Sequence, residues 1–467
     1  MTIKFGTDGW RGVMDRDFTV DKVKVVAQAI ADYISSRGLA KYGVVIGYDS
    51  RRNSKAYAKA CLEVFAGNGI PIYMVEGDVP TPLVAFATVK LRAGGAVMIT
   101  ASHNPPEYNG IKFIPHYGGP ASSEITQEVE KLIFKSSTRT MSIKDAEKKG
   151  LIAHVDFKEE YIDWMLSLVE KDAIRKARLK VLVNHMHGST IGFLDEVLMR
   201  VGCEVKRMRY DKDPSFGGLI PDPTLPEAVS DIPLFMHDMD VGLATDGDGD
   251  RASAYSDTYI SPNMLFPLIL KHMLDKGIKG GVVRTVATTH MVDEIASKNG
   301  IRIYEVPVGF KNIAPHLLMG EAIMGGEESG GFGYKWHIPE KDGVLTCLYI
   351  IESLALSGKK KLEELIRELG KEYKLLYSLR GKVEIGRSHE VRETLLNLEL
   401  DNVGGLPVER TVKVDGVKFI TKKGWLLIRP SGTEPVVRVY VESESLEEAK
   451  MLLEWGLKKV REVAKAC

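Results

Sequence analysis

GVVIGYDSRRNSKAYAKACLEVFAGNGIPIYMV, residues 43–75, sets a short apolar run, a helical stretch and a second apolar run one after another. Residues 43–48 read as a buried strand, 54 to about 67 as a helix, and 71–75 as another strand. Just before it, Val20, Val23, Val26, Ile30 and Ile34 recur at helical spacing, with Thr19 placed as N-cap and Gly38 past the end. Strand and helix in alternation predict a mainly parallel sheet covered by helices.

The same unit recurs downstream. Residues 179–183 form a β-rich run that leads into Asn184-His185-Met186-His187-Gly188 and a helix ending near Gly202, and residues 281–284 begin a third set. Beyond about Glu372 the pattern changes. Residues 411–414 and 417–420 flank Asp415-Gly416, a two-residue type I′ hairpin signal. Further strands follow, and a closing helix begins at Ser445, whose spacing to Glu448 is that of a capping box. We expect three α/β domains and a smaller antiparallel α+β C-terminal one. Boundaries near Gly150, Tyr255 and Glu372 give the segments 1–152, 153–255, 256–372 and 373–467.

Four domains suit a chain of 467 residues. With 63 basic and 63 acidic side chains the formal net charge is zero, so no basic field for nucleic acid exists and a small-molecule partner is expected. The four cysteines, Cys61, Cys203, Cys347 and Cys467, lie far apart without a Cys-x-x-Cys pair, against a disulfide framework or a thiolate zinc site. The longest apolar stretch, around residues 264–270, is too short to span a bilayer. These features suggest a cytoplasmic protein with no membrane partner.

Four loops carry the chemistry. Asp246-Gly247-Asp248-Gly249-Asp250-Arg251 follows a strand-like run, and its three carboxylates would repel one another unless a cation held them. Hard oxygen ligands favour magnesium, calcium or manganese over zinc. An EF-hand does not fit, because Arg251 stands where glycine is required and a strand precedes the loop. A dinucleotide fingerprint matches weakly, and an acidic surface turn remains open. Thr100-Ala101-Ser102-His103-Asn104-Pro105 follows the strand 96–99, which suggests a βα loop; alone, a Ser-His pair in a proline-bounded turn is more often structural. Gly326-Glu327-Glu328-Ser329-Gly330-Gly331 offers carboxylates to sugar hydroxyls, or is a solvated acidic turn. Arg429-Pro430-Ser431-Gly432-Thr433-Glu434 combines a guanidinium, hydroxyls and free backbone N–H groups, a set suited to phosphate.

Together these loops resemble the signature set of the α-D-phosphohexomutase family, one per domain and in the family's order. Phe5-Gly6-Thr7-Asp8-Gly9-Trp10-Arg11-Gly12 and residues 184–188 resemble that family as well, so the likeness spans the chain. It implies three topologically similar α/β domains and a smaller antiparallel fourth around a central cleft. It implies Ser102 as the serine phosphorylated in the active enzyme, and Asp246, Asp248 and Asp250 as magnesium ligands bridged to it. Arg11, His103, Lys112 and Arg251 correspond to the phosphoryl-transfer site, with Lys112 a general acid or base if its pKa is lowered. Glu327 and Ser329 match sugar contacts; Arg429, Ser431, Gly432 and Thr433 match the loop holding the non-reacting phosphate. Lys341, in the segment 337–343, and Lys311 are further phosphate candidates.

The implied reaction interconverts glucose 1-phosphate and glucose 6-phosphate through a phosphoserine enzyme and glucose 1,6-bisphosphate, with Mg2+ as cofactor. Glucose is suggested by Glu328 and by Gly331, where mannose-using relatives commonly carry histidine. Phosphomannomutase and phosphoglucosamine mutase are the alternatives within the family, and a non-catalytic cation-binding protein or a sugar phosphatase the alternatives outside it. Monomer and homodimer remain open.

Overall fold

The computed structural model of the chain describes residues 3–6, 8–385, 389–431 and 435–466. The first sheet runs Trp10–Val13, Tyr108–Pro115, Gly95–Ile99, Val44–Tyr48, Ile72–Val75, Ile152–Val155. The second runs Tyr259–Ile260, Ala252–Tyr255, Val241–Thr245, Lys180–Asn184, Glu204–Met208, and the third Ile303–Val306, Gly281–Thr285, Ala322–Gly326, Phe332–Tyr334.

One arrangement recurs in all three. The first of three parallel strands lies between the second and the third, and an antiparallel strand pairs with the outer side of the third. Strands buried on both faces explain the continuous apolar runs of the sequence: Val44–Tyr48, Gly95–Ile99, Val241–Thr245 and Gly281–Thr285 have every residue buried. The helix Val20–Ser36 covers the first sheet with Val23, Val26, Ile30 and Ile34, and Thr19 Oγ1 accepts from the Lys22 N–H at 3.4 Å as its N-cap.

This topology corrects one expectation. The serine loop is not a βα connection, because the strand after it, Tyr108–Pro115, runs antiparallel beside Gly95–Ile99. The serine, aspartate and glutamate loops each join the third strand of their sheet to its antiparallel neighbour. Three chemically different loops therefore occupy equivalent places in three sheets.

The fourth sheet is antiparallel throughout, in the order Tyr377–Glu384, Val436–Ser443, Gly424–Pro430, Val417–Thr421, Leu406–Val412, Asn402–Val403. The helix Leu446–Ala466 packs on it, and Ser445 Oγ accepts from the Glu448 N–H at 3.2 Å. The hairpin before Val417 differs from the two-residue turn expected. Val412 pairs with Lys418, residues 413–416 form the connection, and of Asp415 and Gly416 only the glycine has positive φ, at 86°. Tertiary contacts decide the shape: Asp415 Oδ2 accepts from the Val308 N–H at 3.0 Å and from Arg429 Nε at 2.7 Å.

A continuous apolar core joins the first three sheets, through side chains such as Leu83, Val183, Leu243, Val282 and Met324. Each large aliphatic chain buried there contributes about 1.5–3 kcal/mol. The fourth sheet keeps its own core, with Phe419, Leu426, Val439 and Leu452. A small cluster of Val286, Ala287, Trp425, Leu427 and Tyr440 connects it to the third. Among the described residues, no helix is long and apolar enough to cross a membrane.

Candidate active site

Ser102 is buried at the mouth of its strand with φ of 51°, the left-handed region that non-glycine residues seldom adopt. Thr100 Oγ1 accepts from the Ser102 N–H at 2.8 Å and holds this bend. Ser102 Oγ donates to Asp246 Oδ2 at 2.9 Å, and His103 Nδ1 lies 3.2 Å from the same oxygen. With the hydroxyl proton directed at Asp246, the His103 contact requires an Nδ1–H donor. Burial, and then the charges of Arg251 and Arg11, hold the His103 pKa well below the ordinary value, so its imidazole is neutral.

Asp246, Asp248 and Asp250 are fully buried, and one carboxylate oxygen from each lies within 4.8 Å of the others. Gly249, at φ 72°, provides the curl that brings them together. Gly247 lets the serine and aspartate loops meet: a Cβ there would sit 2.7 Å from the Ser102 carbonyl oxygen. Asp248 Oδ1 and Asp250 Oδ1 are buried without a hydrogen-bond donor among the described residues. Unpartnered carboxylate oxygens beside a serine hydroxyl suit a hard divalent cation, and magnesium fits this donor set. Burial and the neighbouring Asp248 and Asp250 push the Asp246 carboxyl well above its usual range, the condition a bound cation relieves.

Cations surround the cluster. Lys112, on the strand after the serine loop, donates to Asp248 Oδ2 at 2.9 Å and Asp250 Oδ2 at 2.8 Å, and pairs with Asp8 at 2.8 Å. Burial alone would lower its pKa, but Asp248, Asp250 and Asp8 hold it well above the ordinary value. The lowered pKa that a proton-accepting Lys112 requires is therefore not produced here. In the metal-free protein the three carboxylates outweigh desolvation and favour the Lys112 ammonium. Lys341 Nζ lies 3.3 Å from Asp250 Oδ2 and 2.9 Å from Glu340 Oε1. Arg251 lies 3.9 Å from both Asp246 and Asp250, and Arg11 donates to Asn104 Oδ1 at 2.7 Å.

Glu327 accepts from the Gly309 N–H at 2.9 Å, and burial followed by the charge of Glu328 pushes its carboxyl up to about 7. Ser329 is half-buried in the same loop; Lys311, in the turn Phe310–Asn312, is half-buried too, and burial lowers its pKa. Arg429 lies on the strand Gly424–Pro430 of the fourth sheet and Ser431 just past its end: Arg429 pairs with Asp415, and the Ser431 carbonyl accepts from Arg392 Nη1 at 2.5 Å. Gly432 and Thr433 lie outside the described residues. Asp8, Thr81 and Glu340 belong to the site without having been singled out in the sequence. Asp8 stood within the motif at residues 5–12, and Thr81 Oγ1 donates to Asp248 Oδ2 at 2.7 Å.

A serine aimed at a buried acidic cluster and ringed by cations, on three equivalent sheets with an antiparallel fourth, defines a phosphoryl-transfer enzyme. Residues 2–140, 159–258 and 261–373 match the α/β/α domains I, II and III of phosphoglucomutase/phosphomannomutase, and residues 395–454 match its C-terminal domain. The chain belongs to this family. A phosphoglucomutase/phosphomannomutase of Thermococcus kodakarensis is 32% identical, with 99% of each chain covered. A phosphoglucosamine/phosphogalactosamine mutase of Sulfurisphaera tokodaii is 30% identical over 98% of this chain and 99% of its own. A Thermus thermophilus structure bearing the name phosphomannomutase superimposes with a TM-score of 0.87 at 31% identity, covering 99% of both chains. The protein is thus a phosphohexomutase, an isomerase that moves a phosphoryl group within a sugar phosphate.

Proposed function

We propose that the protein is a phosphoglucomutase that works through phosphorylated Ser102, interconverting glucose 1-phosphate and glucose 6-phosphate. The observation that carries this reading is the 2.9 Å contact from Ser102 Oγ to Asp246, inside a buried cluster of three carboxylates and Lys112. Ser102, Asp246, Asp248 and Asp250 would hold Mg2+. When bound, magnesium supplies Lewis-acid stabilisation of charge on the phosphoryl oxygens.

The remaining steps belong to the chain's own residues. Phosphoserine gives its phosphoryl group to the free hydroxyl of the hexose phosphate, making glucose 1,6-bisphosphate. The P–O bond to Ser102 Oγ breaks as the bond to the sugar oxygen forms, and the proton of the sugar hydroxyl ends on the released Ser102 Oγ. The bisphosphate then turns over and returns its other phosphoryl group to Ser102. Lys112, Arg11 and Arg251 stabilise the transferring group as fixed cations, which is where such catalysis mostly lies. His103 keeps the serine oxygen oriented. Glu327 and Ser329 accept from sugar hydroxyls, while Arg429, Ser431, Gly432 and Thr433, with Lys311, hold the non-reacting phosphate. Glucose 1,6-bisphosphate serves as activator by loading Ser102.

The glucose preference is supported by Gly331. A Cβ there would lie 2.3 Å from Lys341 Cδ, so a histidine at 331 and the observed path of Lys341 into the site exclude each other. Comparison of kcat/KM on glucose, mannose and glucosamine 1-phosphates tests the preference: glucose is expected among the best substrates, and its rejection contradicts the proposal. The phosphoglucosamine mutase named among the relatives makes glucosamine the substrate to take over in that case.

A further inference from the structure

Arg51 lies in the turn after the strand Val44–Tyr48, away from all four loops in sequence, and its side chain is wholly buried. Its guanidinium reaches four backbone carbonyls of the serine loop. Nη2 donates to Ser102 O at 2.5 Å and Asn104 O at 2.6 Å; Nη1 donates to Pro105 O at 2.8 Å and Tyr108 O at 3.2 Å. Nε lies 3.3 Å from Asp49 Oδ2, and Asp49 Oδ1 in turn accepts from Ser54 Oγ at 2.7 Å and from the Arg51 N–H at 3.1 Å. The ring of Phe216, from the second unit, covers the guanidinium with its centroid 4.8 Å from Cζ.

Four carbonyl dipoles gathered on one planar cation turn the inner face of the loop toward Arg51. The side chain of Ser102 is left to project toward the aspartate loop. A left-handed backbone at a non-glycine residue persists only where its surroundings over-determine it, and this fan of charge-assisted bonds does so at Ser102. We propose that Arg51 is a positioning residue for phosphoryl transfer: its guanidinium sets the 102–108 loop so that Ser102 Oγ faces Asp246. The inference rests on the phosphoserine reading above.

Arg51→Lys tests it, because an ammonium keeps the charge but cannot reproduce the planar fork that serves four carbonyls and Asp49 at once. The expected result is a kcat about 100-fold lower per folded molecule, as a displaced reacting group produces. KM for glucose 1-phosphate stays within about twofold, and the rate at which glucose 1,6-bisphosphate loads Ser102 falls in step with kcat. An anchor of the fold alone would lower the melting temperature and leave kcat per folded molecule intact; that outcome, or a raised KM at unchanged kcat, overturns the proposal. If Arg51→Lys does not accumulate, Asp49→Asn weakens the same clamp, with lower kcat at constant KM supporting it and unchanged kcat overturning it. Wild-type protein in the same assay keeps the two readings apart. A wild type that never loads refutes the phosphoserine and the clamp with it, whereas one that loads beside an equally fast Arg51→Lys refutes the clamp alone.

Discussion

Ser102 Oγ and Asp246 Oδ2 meet at 2.9 Å although 144 residues separate them in the chain. They meet because the hairpin loops of the first and second sheets come into contact at Gly247, and the contact joins the phosphate-carrying candidate to the acidic cluster.

That cluster is expected to bind magnesium measurably. At a concentration 100-fold above Kd, a ligand that binds only the folded state adds about 2.7 kcal/mol of stability. Thermal denaturation should show a magnesium-dependent rise in Tm for the wild type and little or none for Asp248→Asn, with mutase activity lost on chelation. An equal rise in both would place the cation elsewhere.

Gly247→Ala is expected to separate the two loops, since its Cβ would fall 2.7 Å from the backbone oxygen of Ser102, which has no side-chain freedom to yield. A displacement of that kind costs on the order of 100-fold in kcat. Steady-state kinetics should show the loss in kcat with KM nearly unchanged, because the proposed substrate contacts lie on other loops.

Lys112 offsets three carboxylates that burial would otherwise leave in conflict. Lys112→Met removes the shared cation and is expected to cost about 3 kcal/mol in the metal-free protein. Urea denaturation with and without magnesium checks this, with part of the loss recovered when magnesium is present. Activity is expected to be abolished in either case.

Glu327 links stability to pH. Its folded carboxyl stands at about 7 against an ordinary 4.5. Below 4.5 both states hold the proton; as pH rises from there through 7 the unfolded chain releases it first, and stability declines until both are ionised. Glu327→Gln is therefore expected to be nearly neutral below about pH 4 and stabilising by roughly 3 kcal/mol at about pH 8, in denaturation without substrate. The same variant should lose catalytic efficiency, because a neutral amide with one acceptor oxygen replaces the carboxylate proposed to accept from sugar hydroxyls.

The sheets were legible where burial writes itself into local sequence. Fully buried strands gave unbroken apolar runs, and Thr19 and Ser445 marked helix starts through their capping chemistry. What eluded sequence reading depends on distance. The serine loop gave no local sign that an antiparallel strand would follow it, and Asp415 left its expected turn for contacts with Val308 and Arg429. Lys112 was a general acid or base only on the condition of a lowered pKa, and its own segment does not show the three acidic partners that come from residues 8, 248 and 250. Asp8 and Thr81 were unassigned for the same reason: each is ordinary in its own segment and acquires a role only where separate segments converge.

The central claim is that Ser102 carries the phosphoryl group, and intact-mass measurement tests it most directly. Incubation with glucose 1,6-bisphosphate and magnesium should add the mass of one phosphoryl group to the wild type and none to Ser102→Ala, with isomerisation following the loaded form. A wild-type mass that stays unchanged while glucose 1-phosphate is converted, or a Ser102→Ala variant that loads and turns over, would contradict it.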